Sequence, residues 1–399
     1  GPGGSAVEFI EGSPLPEELT RNFDIVGFDP RGVGGSNPLD CRTHLQDIYD
    51  VDPTMEDAAD EKAYIDTSQE FVDECAEKYA DLLPYLGTVN VAKDMDRVRA
   101  ALGDDKLTYV GYSYGTSIGQ QYARLFPTKV RAMVLDGVVD PSLTGLQAAA
   151  GQAKGFSRAL DAFIAQCDDN GNDNDCGLSA PAGDVIDKVI ADSEKTPIPA
   201  SRADRPATPG VVALALSQAL YSETLWPELA RALSQASKGD ANGLVALADR
   251  YLKRNPDGSY PNGFEIYFGV SCLDSSWPKD PTEVFDTAEL VGTLFPRVGE
   301  ALVNDYVRCA LWPGQPKPIE PVSDKVKGLP PVVLISTTGD PATPYESGVK
   351  VADQIPGAVL VTNEGEGHTI FAQGKPCIDD AVTTYLVDLE PPKDGLTCK

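Results

Sequence analysis

The sequence predicts an α/β fold: a mostly parallel sheet covered on both faces by helices, interrupted by an inserted helical lobe. Three observations carry this expectation. Short apolar segments alternate with helical patterns from residue 1 to 141, helical patterns dominate from 142 to 325, and the alternation returns from 326 to 399. Strands that alternate with helices need crossover connections, and those lead to parallel pairing.

The elements follow in order. FDIVGFDP (23–30) reads as a buried strand ending in a turn, and KDMDRVRAALG as an amphipathic helix stopped at Gly103. LTYVGYS reads as a strand. In the TSIGQQYARLF that follows YG, Ile118, Tyr122, Leu125 and Phe126 recur at helical spacing. VRAMVLDGVVDP is the next strand. The lobe contains GLQAAAGQAKGFSRALDAFIAQC and LWPELARALSQAS, separated by Pro- and Gly-rich turns. PPVVLISTTGDPATP and GAVLVTNEGEGHTIF each read as a strand followed by a polar loop, and CIDDAVTTYLVDL as a closing helix. The expected organisation is a core over 1–141 and 326–399 with a cap over 142–325.

Charge and cysteines narrow the function class. With 61 acidic and 33 basic residues the net charge is −28, which repels nucleic acid and anionic membranes. No apolar run approaches the roughly 20 residues of a membrane span. The chain has eight cysteines, no CxxC pair and two histidines, so disulfides are expected in place of a zinc site. The simplest connectivity joins neighbours: 41–75, 167–176, 272–309 and 377–398. Disulfides imply an oxidising, extracytoplasmic setting. CDDNGNDNDC (167–176) reads as a solvated hairpin tip; for a calcium loop its glycine is misplaced and the closing glutamate is absent.

YVGYSYG (109–115) carries the chemistry. Its G-x-S-x-G sits where a strand turns abruptly into a helix, the setting of a nucleophile elbow with Ser113 at the apex. A serine hydroxyl needs a base, and a histidine base needs a carboxylate on its far nitrogen. His44 precedes the serine in the polar stretch CRTHLQD and reads as an exposed residue. His368, in GEGHTIF, follows it and fits the order Ser, acid, His. Asp340, at the end of VVLISTTG, is the expected acid, with Asp136 and Asp140 as rivals from the earlier strand. The oxyanion of an acyl-transfer intermediate needs backbone donors. Tyr114, directly after the nucleophile, supplies one, and the glycine-rich GPGG at the start of the chain fits as the other, unless it is a tag remnant. No metal or organic cofactor is required. Asp29 and Arg31 in FDPRGVGGS read as turn-shaping residues.

Taken together, GPGGSAVEF, FDPRGVGGSNPLDC, YVGYSYGTSIGQQYARLFP, YSETLWPELARAL, VSCLDSSWP, TTGDPATPYESG and GEGHTIF resemble the secreted actinobacterial tripeptidyl aminopeptidases. These are α/β-hydrolase-fold serine peptidases related to proline iminopeptidases, and the resemblance spans essentially the whole chain. It implies the triad Ser113, Asp340 and His368, a helical cap over the site, and release of short peptides from free amino termini. It also implies that Gly1, just before the proline of GPGG, is the second oxyanion donor. The strands that ordinarily precede this loop in the fold are expected to be absent from the chain given. Relatives recognise the substrate ammonium with cap carboxylates. FEIYF resembles that element, so Glu265 is the first candidate, followed by Asp274 and Glu228. Two other functions compete: an esterase or broad acyl hydrolase using the same triad, and a catalytically silent binding protein.

Overall fold

The computed structural model describes residues 1–399 except 14, 42–44, 56, 170–175 and 179. His44 and most of the expected hairpin tip at 167–176 therefore lie outside the described residues. Among the described residues the sheet has five strands: β1 (Leu107–Tyr112), β2 (Val130–Asp136), β3 (Val332–Gly339), β4 (Val359–Glu366) and β5 (Leu396–Cys398). They lie side by side in chain order, every neighbouring pair parallel. This is an α/β-hydrolase fold, a mostly parallel sheet with helical insertions.

The apolar runs of β2 and β3 explain why these strands are central. Side chains alternate between faces along a strand, so a strand covered on both sides is apolar throughout. Met133 and Leu135 of β2, with Val332 and Leu334 of β3, pack against Val91 and Met95 of the helix Thr88–Ala101 and Ile118 and Tyr122 of the helix Tyr114–Leu125. Ala132 and Val134, with Val333 and Ile335, pack on the other face against Ile378, Val382 and Tyr385 of the helix Pro376–Asp388. One strand thus serves two cores.

Between β2 and β3 the chain passes through the helices from Gly145–Asp168 to Val307–Leu311. Several of them build a core of their own, in which Phe156, Phe163, Val189, Leu216, Trp226 and Leu247 are buried. The helix Gly263–Asp274 behaves differently. Its Ile266, Phe268 and Leu273 pack with Leu39, Phe71 and Leu86, residues that precede β1. The inserted helices are therefore stitched to the first part of the chain through an apolar cluster that also contains Cys41, Cys75, Cys272 and Cys309.

Four disulfides join Cys41–Cys75, Cys167–Cys176, Cys272–Cys309 and Cys377–Cys398, leaving no free cysteine. No helix among the described residues is long and apolar enough to cross a membrane.

One expected strand is corrected. FDIVGFDP forms no strand and pairs with no member of the sheet; Ile25 and Val26 are 38% and 54% exposed. Its composition suits a strand, but a strand exists only where a neighbour completes its backbone hydrogen bonds. The outer edge of β1 makes no such ladder with it.

The long helix Gly145–Asp168 comes very close to the loop after β3. A Cβ on Gly155 would overlap the carbonyl oxygen of Pro341 and sit 3.2 Å from that of Asp340. Gly155→Ala gains about 1 kcal/mol of helix propensity but forces helix and loop apart. A net destabilisation of roughly 1–3 kcal/mol is expected, read as a lower Tm. An unchanged or higher Tm would show that the contact has room to spare.

Candidate active site

Ser113 sits between β1 and the helix Tyr114–Leu125 with φ 53° and ψ −119°. A non-glycine residue stays in this strained region only when its surroundings hold it there. The Ser113 N–H donates to the Asp136 carbonyl at 2.8 Å, and the Ser113 carbonyl accepts from the Thr116 N–H at 2.8 Å and from Thr116 Oγ1 at 2.7 Å. The glycines of the motif contribute unequally. A Cβ on Gly111 would lie 2.5 Å from the Gly115 carbonyl oxygen, whereas one on Gly115 would meet only Tyr109 Oη, at 3.4 Å. Close approach of strand to helix is therefore demanded chiefly at Gly111.

The other two expected residues meet at the ends of β3 and β4. Asp340 is completely buried, and His368 Nδ1 lies 2.9 Å from its Oδ1 and 2.8 Å from its Oδ2. The carboxylate also accepts from Ala342 N–H (2.9 Å), Thr343 N–H (2.8 Å) and Thr343 Oγ1 (2.9 Å). Its charge is thus solvated by fixed donors. The His368 N–H donates to the Tyr221 carbonyl at 2.9 Å, and the Tyr221 ring stands edge-on to the imidazole. His368 Nε2, on the far side from Asp340, is buried with no hydrogen-bond partner among the described residues.

The rivals are bonded elsewhere. Asp136 Oδ2 accepts from the Ile370 and Phe371 N–H groups. Asp140 binds Ser142 and pairs with Lys350 at 3.1 Å. Asp29 joins the start of the chain to its turn: Oδ1 accepts from Ser5 Oγ at 2.7 Å and Oδ2 from the Gly35 N–H at 2.9 Å. Arg31 forks onto Asp94.

Ser113 and Tyr114 open onto a cavity of about 1040 Å³, which Gly1 to Gly4, Thr343, Tyr221, Tyr267 and Trp277 also line. Tyr114 begins a helix, so its N–H is among the first-turn donors that no intrahelical carbonyl reaches. Gly1 and Ser113 thus face the same space.

The three cap carboxylates go to different places. Glu228 forms a two-pronged pair with Arg250, both contacts 2.9 Å, and is not among the cavity-lining residues. Glu265 is 2% exposed and also absent from the lining; it is buried near Asp40, Cys41 and Lys78, and its Oε2 has no hydrogen-bond partner among the described residues. Burial pushes its carboxyl up to about 7. Asp274 does line the cavity. Its oxygens accept from the Thr88 N–H at 3.0 and 3.2 Å and from Thr88 Oγ1, and Thr88 Oγ1 in turn lies 2.7 Å from Tyr114 Oη. Burial raises Asp274 to about 7.

Sequence reading missed Thr343, whose hydroxyl bonds Asp340 and lies 3.3 Å from His368 Nδ1. The D-P-A-T spacing, a carboxylate followed three residues on by a threonine in a turn, was the available signal. It also missed Asp305, a cavity-lining carboxylate held at 2.8 Å by Arg308, itself buried among Tyr64, Phe264 and Phe268. The i, i+3 spacing of Asp305 and Arg308 was the local signal, but the rings around Arg308 come from distant segments.

Residues 1–174 match the family described as alpha/beta hydrolase fold, and residues 295–398 match the TAP-like protein family. "Serine protease Hip1" of Mycobacterium tuberculosis is 39% identical over all of this chain and 79% of its own length. The chain belongs to the TAP-like actinobacterial serine hydrolases. Two further relatives are similar over the whole chain. "Carboxylesterase B" of M. tuberculosis is 36% identical with 78% of its length covered, and "Tripeptidyl aminopeptidase" of Streptomyces lividans 32% with 75% covered. As a TAP-like serine hydrolase, the chain is an enzyme acting on peptide or ester substrates.

Glu265 yields a stability test. Its carboxyl is raised in the folded state, so the folded protein holds a proton that the unfolded chain releases between about pH 4.5 and 7. Stability from this group is full below the ordinary carboxyl range and is lost as pH rises through about 7. Glu265→Gln is therefore expected to exceed wild type in stability at pH about 8, by on the order of 2–3 kcal/mol, with the gap closing towards pH about 4.5. Urea unfolding at both pH values reads this directly. A pH-independent gap would mean that Glu265 ionises normally.

Proposed function

We propose that this protein is an extracytoplasmic serine exopeptidase that releases short peptides, tripeptides in the first instance, from free amino termini. The observation that carries the reading is the His368 ring: Nδ1 is locked onto buried Asp340, Nε2 has no partner among the described residues, and Asp136 bonds both the N–H of strained Ser113 and the loop after His368. In this reading Ser113 attacks the peptide carbonyl as His368 takes its proton. His368 then protonates the leaving amine, and Asp340 holds the tautomer and stabilises the imidazolium. The Tyr114 N–H and Gly1 stabilise the oxyanion. Water repeats the cycle on the acyl-enzyme. Residues 1–141 and 326–399 act as the catalytic core and 142–325 as the cap that shapes the cavity. The relative named for tripeptidyl aminopeptidase activity supports the substrate class, and four disulfides support an oxidising location.

The ammonium receptor is Asp274. Of the three cap carboxylates expected from sequence it alone lines the cavity, and its hydrogen bonds come from Thr88 with no cation among them. A substrate ammonium would supply the missing positive charge. The relative named as a carboxylesterase favours a second reading, ester hydrolysis by the same residues without need of an amine.

A free-amine tripeptide amide and its N-acetylated twin separate these readings. Cleavage of the free peptide alone marks the exopeptidase; equal cleavage of both marks a broad acyl hydrolase. Ser113→Ala is expected to lower kcat by at least about 10³-fold and Asp340→Asn by about 10⁴-fold, and near-normal turnover in either removes that residue from the mechanism. Asp274→Asn is expected to raise KM for the free amine about 10- to 100-fold while leaving the acetylated or ester substrate little changed. Equal losses on both substrates would count against Asp274 as the receptor.

A further inference from the structure

We propose that Asp136 is a positioning residue that clasps the Ser113 turn and the His368 loop into one unit. The inference rests on the reading of Ser113 and His368 as the reacting pair. Asp136 closes β2 and is completely buried. Its two ends do different jobs. The backbone carbonyl accepts from the Ser113 N–H at 2.8 Å. The side-chain Oδ2 accepts from the Ile370 and Phe371 N–H groups, both at 2.8 Å.

The loop it grips needs gripping. Thr369 and Ala372 have φ of 62° and 63°, a left-handed conformation that residues with side chains keep only when the surroundings impose it. Asp379, on the helix Pro376–Asp388, holds the far end through the Ala372 and Gly374 N–H groups at 2.8 and 3.0 Å. At the near end the Tyr221 carbonyl takes the His368 N–H, and Asp136 takes the two N–H groups just beyond Thr369. Asp136 is not the acid partner, because His368 Nδ1 is taken by Asp340. Its other oxygen, Oδ1, is buried with no hydrogen-bond partner.

The charged and titratable groups that face Asp136 are His368 and Asp340 from their loops and Tyr112 from β1. Burial raises its carboxyl to about 6, against the pull of the two N–H donors and His368. The clasp is therefore ionised at neutral pH and weakens as pH falls through about 6.

The test compares wild type, Asp136→Ala and Asp136→Asn in fluorophosphonate labelling rate and in the pH profile of ester or peptide hydrolysis. Asp136→Ala frees the loop, and kcat and the labelling rate are expected to fall at least about tenfold with KM within about twofold, because reacting groups lose alignment without losing substrate contacts. Asp136→Asn keeps an oxygen able to accept both N–H groups. It is expected to recover much of the rate, and because it no longer carries a group that titrates at about 6, the acid limb of kcat/KM is expected to move to lower pH. A merely structural residue would change Tm and leave that limb in place. The proposal is overturned if Asp136→Ala reacts like wild type, if Asp136→Asn is as slow as Asp136→Ala, or if its acid limb does not move. Should Asp136→Ala not fold, the limb of Asp136→Asn still decides. Wild type that refuses the probe defeats the reading of Ser113 itself, a distinct failure that takes this proposal with it.

Discussion

Parallel pairing is the constraint on which this molecule depends. In a parallel sheet every strand ends on the same edge, so whatever follows each strand is delivered to one rim. Here the rim collects Ser113 after β1, Asp136 closing β2, Asp340 after β3 and His368 after β4. Asp136 and Ile370, 234 positions apart, become hydrogen-bonded neighbours because the β2–β3 and β3–β4 ladders set their strands in one sheet. The apolar runs that bury those strands and the polar residues that end them are parts of one device.

The buried carboxylates show how differently the fold treats the same chemical group. Asp340 is surrounded by donors from its own turn and an imidazole, so its charge is held in place where water cannot reach it. Asp136 receives two backbone donors on one oxygen and none on the other. Asp274 leans on a single threonine, and Glu265 leaves an oxygen orphaned. An ionised carboxylate needs either an opposite charge or several hydrogen bonds to remain charged in a dry site. The carboxyls of Asp136, Asp274 and Glu265 are accordingly raised, each chiefly by burial.

The inserted helices do more than cover the rim. Part of the insertion has an apolar core of its own, while the helix Gly263–Asp274 is packed into residues that precede β1. Through Asp274 and Thr88 that helix reaches the ring of Tyr114, the residue next to the proposed nucleophile. The wall that would receive substrate is thus hydrogen-bonded to the turn that would attack it.

The sequence by itself determined the order of elements and the residues around which chemistry could be built. Apolar runs and helical spacing are local, and G-x-S-x-G, the chain order of Ser113, Asp340 and His368, and the even cysteine count can be read without any contact. Only the tertiary structure decided what depends on neighbours far away in the chain. FDIVGFDP has the composition of a strand but no partner to complete its backbone bonds. Glu265, Asp274 and Glu228 look alike as cap carboxylates, yet one is buried out of reach of the cavity, one lines it and one pairs with an arginine. Arg308, three residues after Asp305, is placed by rings drawn from two distant segments. Which way a carboxylate faces is set by the packing of whole helices, and no window along the chain contains that information.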